Sequence, residues 1–275
     1  MNSTRDADLC FRGNVLKIRG FKKAAKLQIS KEFELTDQRY YDMHVARIPG
    51  WLEEYTAFRT MDILSWQQQF TTGPLLEIGV FAGRYFSLLM RSASATGDIA
   101  LGIDTFQYCN LSDVVGHHLK PLGNIEGIAV FHTGPSTELN GDEVIAMMGG
   151  KKPRFISVDG SHELQDVYSD LRLAEEILSA KGIVAVDDYL NPLTLGVNQA
   201  VNLFFAQPRN VAPFAYIRNK LFLARLLHAE GSRAFLEDRI GSLSDDLSKQ
   251  WVKNGIANRN QIETTLFGHK TLIFG

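Results

Sequence analysis

Cysteine is nearly absent, Cys10 and Cys109 being the only two in 275 residues. Two thiols so far apart supply neither a disulfide framework nor a zinc site, which points to a reducing compartment with the cytoplasm as the default. An excess of charge of one sign is lacking too. Lys and Arg number 29 against 31 Asp and Glu, a formal net charge of −2, whereas nucleic-acid binders carry a basic domain or stripe; no nucleic-acid partner is expected. No apolar run approaches the ~18 residues of a membrane-spanning helix, and neither internal repeats nor a Gly/Ser- or Pro-rich linker divides the chain. At 45% hydrophobic and 22% charged residues, the composition is that of an ordinary globular chain. Its length suits one large α/β domain, or such a domain with an appendage, at roughly 100–200 residues per domain. The homo-oligomeric state is left open.

One stretch departs from the charge balance. Residues 11–31 hold Arg12, Lys17, Arg19, Lys22, Lys23, Lys26 and Lys31 and no Asp or Glu. These charges interrupt the apolar residues too often for a signal-peptide core of about 7–15 residues. The segment reads as a solvated arm or one face of a short helix, with an anionic partner or membrane surface as the alternative.

Three zones follow from the pattern. Residues 1–72 are polar and helix-like without strand signals, an N-terminal helical cap or lid; residues 73–228 alternate short β-rich runs with helical segments; residues 229–275 form a C-terminal extension. The middle zone predicts strands at Leu75–Ile78, Ile99–Ile103, Ala129–His132, Phe155–Val158 and Ile183–Val186. Each is a short apolar run suited to a sheet buried on both faces, and the alternation with helices means βαβ units. The clearest helix is Leu164–Ala180, where Val167, Leu171, Ala174 and Leu178 make one apolar stripe. Gly196–Ala206 reads as another helix, and Val211–Ile217 with Lys220–Leu226 as a hairpin closing one sheet edge. The tail predicts a helix around Arg233–Leu247 and a β-leaning stretch, Thr264–Phe274, whose partner is open. Trp51, Tyr55, Phe58 and Trp66 recur at near-helical spacing; they pack against the main domain or line a lid over a pocket.

The strongest local signal is Leu75-Leu76-Glu77-Ile78-Gly79-Val80-Phe81-Ala82-Gly83-Arg84, a strand entering a glycine-bearing turn and then the helical pattern Tyr85–Ser92. Gly79 and Gly83 remove Cβ atoms that would obstruct a ligand at the carboxyl end of the sheet. Phe81 and Arg84 stand where GxGxxG needs glycine, and no GxxxxGK[ST] occurs, so nicotinamide and nucleoside-triphosphate readings weaken. Asp104 ends the second strand about 25 residues after the turn, where an acid suits two ribose hydroxyls; a helix N-cap is the alternative. At the next strand ends stand Asp159-Gly160-Ser161-His162 and Asp187-Asp188. With adjacent strands about 4.8 Å apart, Asp159, Asp187 and Asp188 are expected to share a hard cation such as Mg²⁺. Helix capping and loop hydrogen bonds are the other reading.

Together these motifs resemble the class I S-adenosylmethionine-dependent methyltransferases, specifically the metal-dependent small-molecule O-methyltransferases that include macrocin-type sugar methyltransferases. Glu77 through Gly83 resembles the first cofactor motif, Asp104 the ribose acid, and Asp159 to His162 with Asp187-Asp188 the metal and catalytic signature. Gly196-Val197 and Ala200-Val201 resemble the helix after the double Asp. The resemblance implies a Rossmann-like α/β fold, with a seven-stranded, mainly parallel sheet and helices on both faces. It implies cofactor contacts at Glu77, Gly79, Phe81, Gly83, Asp104, Ser136 and Asp159, metal ligands at Asp159, Asp187 and Asp188, and methyl transfer to a hydroxyl of a small molecule such as a sugar or glycosylated natural product. Catechol-type relatives carry a lysine base three residues after the first Asp; here that position is His162, and an imidazole titrates near neutrality. Thr133-Gly134-Pro135-Ser136 lacks the acid that often follows this glycine in relatives. A hydroxylase on the same scaffold and a non-catalytic cofactor-binding member are the rival expectations.

Overall fold

Short apolar strands buried on both faces organise the chain. The computed structural model describes residues 9–12, 15–18, 31–123 and 125–275. Arg19, Lys22, Lys23 and Lys26 of the basic stretch lie outside the described residues. In chain order the elements begin with strands β1 (Leu9–Arg12) and β2 (Val15–Ile18), helices α1 (Asp37–Met43) and α2 (Glu54–Gln68), β3 (Leu75–Ile78), α3 (Arg84–Thr96) and β4 (Ala100–Asp104). There follow α4 (Leu111–Asp113), which runs into a wider turn to Leu119, then β5 (Ala129–Thr133), α5 (Gly141–Met147), β6 (Phe155–Val158), α6 (Leu164–Ile177), β7 (Ile183–Val186) and α7 (Leu195–Phe205). The chain closes with β8 (Val211–Ile217), β9 (Lys220–Arg225), α8 (Ala229–Gly241), α9 (Asp246–Ala257), β10 (Glu263–Leu266) and β11 (His269–Phe274).

The strands form one sheet in the order β1-β2-β5-β4-β3-β6-β7-β9-β8-β11-β10. The expected seven strands, β5-β4-β3-β6-β7-β9-β8, are its centre. β3, β4, β5, β6 and β7 run parallel, and β9 enters antiparallel between β7 and β8. Four further strands widen it. β1 and β2 form a hairpin that extends the β5 edge, with Val15 opposite His132, so the expectation of an N-terminal zone without strands is corrected. Basic residues interrupt that stretch, and pairing with an existing edge supplies what its own pattern lacks. At the other edge β11 lies parallel to β8 and is paired with β10. Phe267 and Gly268, both at positive φ (49° and 84°), make the two-residue turn between them, the geometry a tight hairpin requires.

Two apolar layers cover the sheet. Strand alternation sends Leu75, Phe155, Ala185 and Phe222 to one face, with Phe86, Met61, Leu236 and Trp251 from α3, α2, α8 and α9. Leu76, Ile78, Ile156, Val158, Val184 and Val186 go to the other, with Val167, Leu171, Ala174 and Phe204 from α6 and α7. The α6 stripe is therefore the one its spacing predicts. α2 is more deeply placed than a lid. Thr56, Ala57, Met61, Ile63, Leu64 and Gln67 are all buried, and the Gln67 side chain donates to the carbonyls of Arg154 (2.6 Å) and Lys181 (3.1 Å). Trp51 precedes the helix and stays 90% exposed, while Tyr55 stacks on Phe274 and Trp66 on Phe235. The single helix expected over Arg233–Leu247 is two, α8 and α9, broken where Asp245 caps the second by accepting from Ser248 N–H. Among the described residues no helix is long and apolar enough to cross a membrane.

Candidate active site

The strand order reverses at β3, with β4 on one side and β6 on the other, and ligands of open α/β sheets bind beyond the carboxyl ends of strands at such a point. Glu77, Gly79, Phe81, Gly83, Asp104, Asp159 and Asp187 all lie at this edge. Gly79 has φ +87°, and a Cβ there would stand 1.9 Å from the Asp159 carbonyl oxygen. The glycine is thus demanded by the approach of the β6 end to the β3 end, a packing reason beside the ligand clearance expected. The Gly83 Cα faces Leu119 and Val114, whose side chains would lie 3.1 and 3.3 Å from an added Cβ.

Asp104 ends β4 as expected, yet its carboxylate already holds the turn. Oδ2 accepts from Val80 N–H (2.7 Å) and Phe81 N–H (2.8 Å), and Oδ1 from Phe106 N–H (2.6 Å). A carboxylate has about four acceptor sites, so capacity for a hydroxyl remains. Phe81, at φ 49°, presents its ring to Trp51 with centroids 5.8 Å apart. Glu77 is 1% exposed, and its Oε2 has no hydrogen-bond partner. Burial raises its pKa well above the usual carboxylate range, with the Lys220 charge opposing that shift.

Ser136 lies in the turn after β5, beside Asp170 of α6. Asp170 is itself buried, and burial pushes its pKa up from 3.8 to about 7. The folded value exceeds the unfolded one, so folding takes up a proton between about pH 4 and pH 7, and this contribution to stability, full below the window, is lost as pH rises through it. Wild type is therefore expected to lose about 2–3 kcal/mol relative to Asp170→Asn between about pH 5 and pH 8. Urea unfolding at the two pH values measures it; parallel curves contradict it.

The three carboxylates expected to meet do not. Side chains alternate across a sheet, and continuing the β3, β6 and β7 patterns puts Glu77, Asp159 and Asp187 on one face and Asp188 on the other. β9 adds a residue that sequence reasoning missed. Its register opposite β7 pairs Val186 with Leu221, so the next residues set Lys220 across from Asp187 and Asn219 across from Asp188. Lys220 is 2% exposed, and its Nζ lies 3.1 Å from Asp187 Oδ1 and 3.8 Å from Asp159 Oδ2, and 4.3 Å from the Tyr85 ring centre. Burial opposes the ammonium, but Asp187 and Asp159 outweigh it and raise the pKa. The Asp159 carboxyl is pushed up by burial and then by Asp187, with Lys220 opposing.

Asp188 faces elsewhere, at φ 58°. Its Oδ1 accepts from Asn191 Nδ2 (2.9 Å) and from Asn219 Nδ2, and its Oδ2 lies 3.1 Å from His162 Nε2. The donor set does not fit a divalent ion. Mg²⁺ needs near-octahedral oxygens at about 2.0–2.1 Å, whereas an ammonium stands against Asp159 and Asp187 and the third acid is committed to His162. Among the described residues no group of three or more His, Cys, Asp or Glu side chains is arranged to hold a metal. Gly196 at the α7 start locks the other side of the loop: a Cβ there would come 2.2 Å from the His162 carbonyl oxygen.

A family model described as a methyltransferase domain matches residues 76–189, from β3 through the double aspartate. The methyltransferase resemblance read from the motifs is borne out over these residues. No curated protein sequence matches the chain. Among solved structures, an O-methyltransferase from Bacillus cereus in complex with S-adenosylhomocysteine covers 73% of this chain and 93% of its own, at 16% identity and a TM-score of 0.52. The O-methyltransferase TomG from Streptomyces achromogenes, involved in tomaymycin synthesis and solved with S-adenosylmethionine, covers 73% and 92% at 15% identity, with a TM-score of 0.50. At these identities the likeness is one of fold, and it matches the methyltransferase arrangement of sheet and helices described above.

Proposed function

We propose that this protein transfers a methyl group from S-adenosylmethionine to a hydroxyl of a small molecule, with His162 as the general base. The observation that carries the reading is the His162–Asp188 pair, 3.1 Å apart at the ligand edge beside the glycine turn, with the His162 side chain 46% exposed. Asp188 is fixed by Asn191 and Asn219, and its carboxylate, 3.1 Å from Nε2, orients the imidazole by charge. This leaves Nδ1 to take a proton, the logic of a carboxylate-oriented histidine. S-adenosylmethionine supplies an electrophilic methyl on a sulfonium. The C–S bond breaks as the C–O bond forms, the hydroxyl proton goes to His162, and S-adenosylhomocysteine leaves.

The residues fit that cofactor. Glu77 offers a buried, unpartnered carboxyl oxygen toward which an α-ammonium group would be drawn, and Asp104 retains acceptor capacity for ribose. Both structural relatives bear the cofactor or its product in their descriptions, which accords with this reading. A sugar hydroxyl is the acceptor we favour, because Trp51 holds an open indole face next to Phe81. The divalent cation expected with Asp159, Asp187 and Asp188 does not enter the mechanism. Positioning supplies most of the remaining rate, since in-line alignment of two bound reactants contributes roughly 7–11 kcal/mol. The test is turnover with a panel of hydroxyl compounds, scored by S-adenosylhomocysteine release: acceptor-dependent release supports the reading, and cofactor binding without release from any acceptor contradicts it.

A further inference from the structure

We infer that Lys220 is the site's own fixed cation: a positioning residue whose ammonium gathers Asp159 and Asp187, so that the site works without a divalent metal. The inference rests on the methyl-transfer reading only for its activity arm. Three independent placements converge on it. Alternation along β3, β6, β7 and β9 puts Glu77, Asp159, Asp187 and Lys220 on one face of the sheet. The β7–β9 register brings Lys220 opposite Asp187 from a hairpin turn more than thirty residues away in sequence. The Tyr85 ring lies against the ammonium, 4.3 Å from Nζ, and the side chain is 2% exposed. A lysine drawn so deeply inside, with two carboxylates and an aromatic face around it, is a built feature rather than a solvated charge.

The chemistry follows from charge. Asp159 and Asp187 at neighbouring strand ends repel one another unless a cation stands by them. Clustered carboxylates can take a hard cation from solution; here β9 brings the cation on the chain. A covalently tethered cation cannot dissociate, so the carboxylates keep one arrangement whatever the metal content of the medium. Through them Lys220 fixes the β6 and β7 ends, and with them the loops that carry His162 and Asp188. A divalent ion entering between the same oxygens would meet the ammonium and be repelled.

The experiment uses Mn²⁺ alone, followed by electron paramagnetic resonance on the full chain without cofactor or acceptor. Wild type is expected to leave the free Mn²⁺ signal undiminished, and Lys220→Met to bind one Mn²⁺ at least about tenfold more tightly than wild type. Asp187→Asn on the Lys220→Met background should abolish that gain. Lys220→Arg, which keeps the charge, should behave as wild type, and it decides the matter should the methionine variant fail to fold. In the activity arm, EDTA should leave wild-type turnover unchanged, and Lys220→Arg should recover kcat that Lys220→Met loses. One-to-one Mn²⁺ binding by wild type, or by Lys220→Arg, overturns the inference. That outcome leaves methyl transfer standing, whereas absent methyl transfer with the expected Mn²⁺ pattern overturns only the functional reading.

Discussion

His162→Ala is expected to lower the rate of methyl transfer by roughly 10²–10⁴-fold, the usual contribution of a positioned general base. Binding of S-adenosylmethionine should be retained, because His162 is 46% exposed and its side chain pairs with Asp188 rather than with the glycine turn. Asp188→Asn is a useful companion: it keeps the shape but removes the charge that orients Nε2–H, so its loss should fall short of the alanine variant's. A folded His162→Ala protein that binds cofactor and turns over within a few-fold of wild type rules the base out.

Gly79→Val is expected to abolish cofactor binding and to destabilise the fold by about 3 kcal/mol or more. Two separate obstacles add. The backbone sits at φ +87°, where a β-branched residue is strained, and the new Cβ would stand 1.9 Å from the Asp159 carbonyl oxygen. The β3 and β6 ends must therefore separate, and with them the turn that Asp104 ties down through Val80 and Phe81 N–H. Calorimetric titration with S-adenosylmethionine and urea unfolding read the two effects. Gly79→Ala with wild-type stability and affinity would contradict both the packing argument and the placement of the cofactor.

The central strands were legible because each is a short apolar run between helical stripes, a pattern that admits few alternatives to a parallel sheet. β8 and β9 were legible for a different reason, two β-rich runs flanking Arg218-Asn219. Of the edge hairpins, β10 and β11 were legible as the β-leaning stretch Thr264–Phe274 but not in their pairing, and β1 and β2 were not legible at all. β1 and β2 lie in a stretch broken by Arg12 and Lys17, and the parallel pairing of β11 with β8 joins segments more than fifty residues apart, which no local signal encodes.

At the site, proximity in sequence misled. Asp187 and Asp188 are adjacent and so were expected to act together, but they follow β7 in a turn where Asp188 takes φ 58°, and their carboxylates go to Lys220 and to His162 respectively. Lys220 was hidden by its role in the hairpin, although its place directly after Asn219 at the start of a buried strand was the available signal. A lysine beginning a run otherwise apolar from Leu221 to Ala224 asks for a buried partner. Chain packing at Gly79 and Gly83 asks for the same residue as ligand clearance, so the glycines alone do not separate the two reasons.

The mass of the product formed from a hydroxyl acceptor and S-adenosylmethionine tests the central claim most directly. Each turnover is expected to add one CH₂ to the acceptor and to release one S-adenosylhomocysteine, and His162→Ala to suppress both together. An acceptor that gains an oxygen atom instead, with no S-adenosylhomocysteine released, would contradict it and assign the same scaffold to hydroxylation.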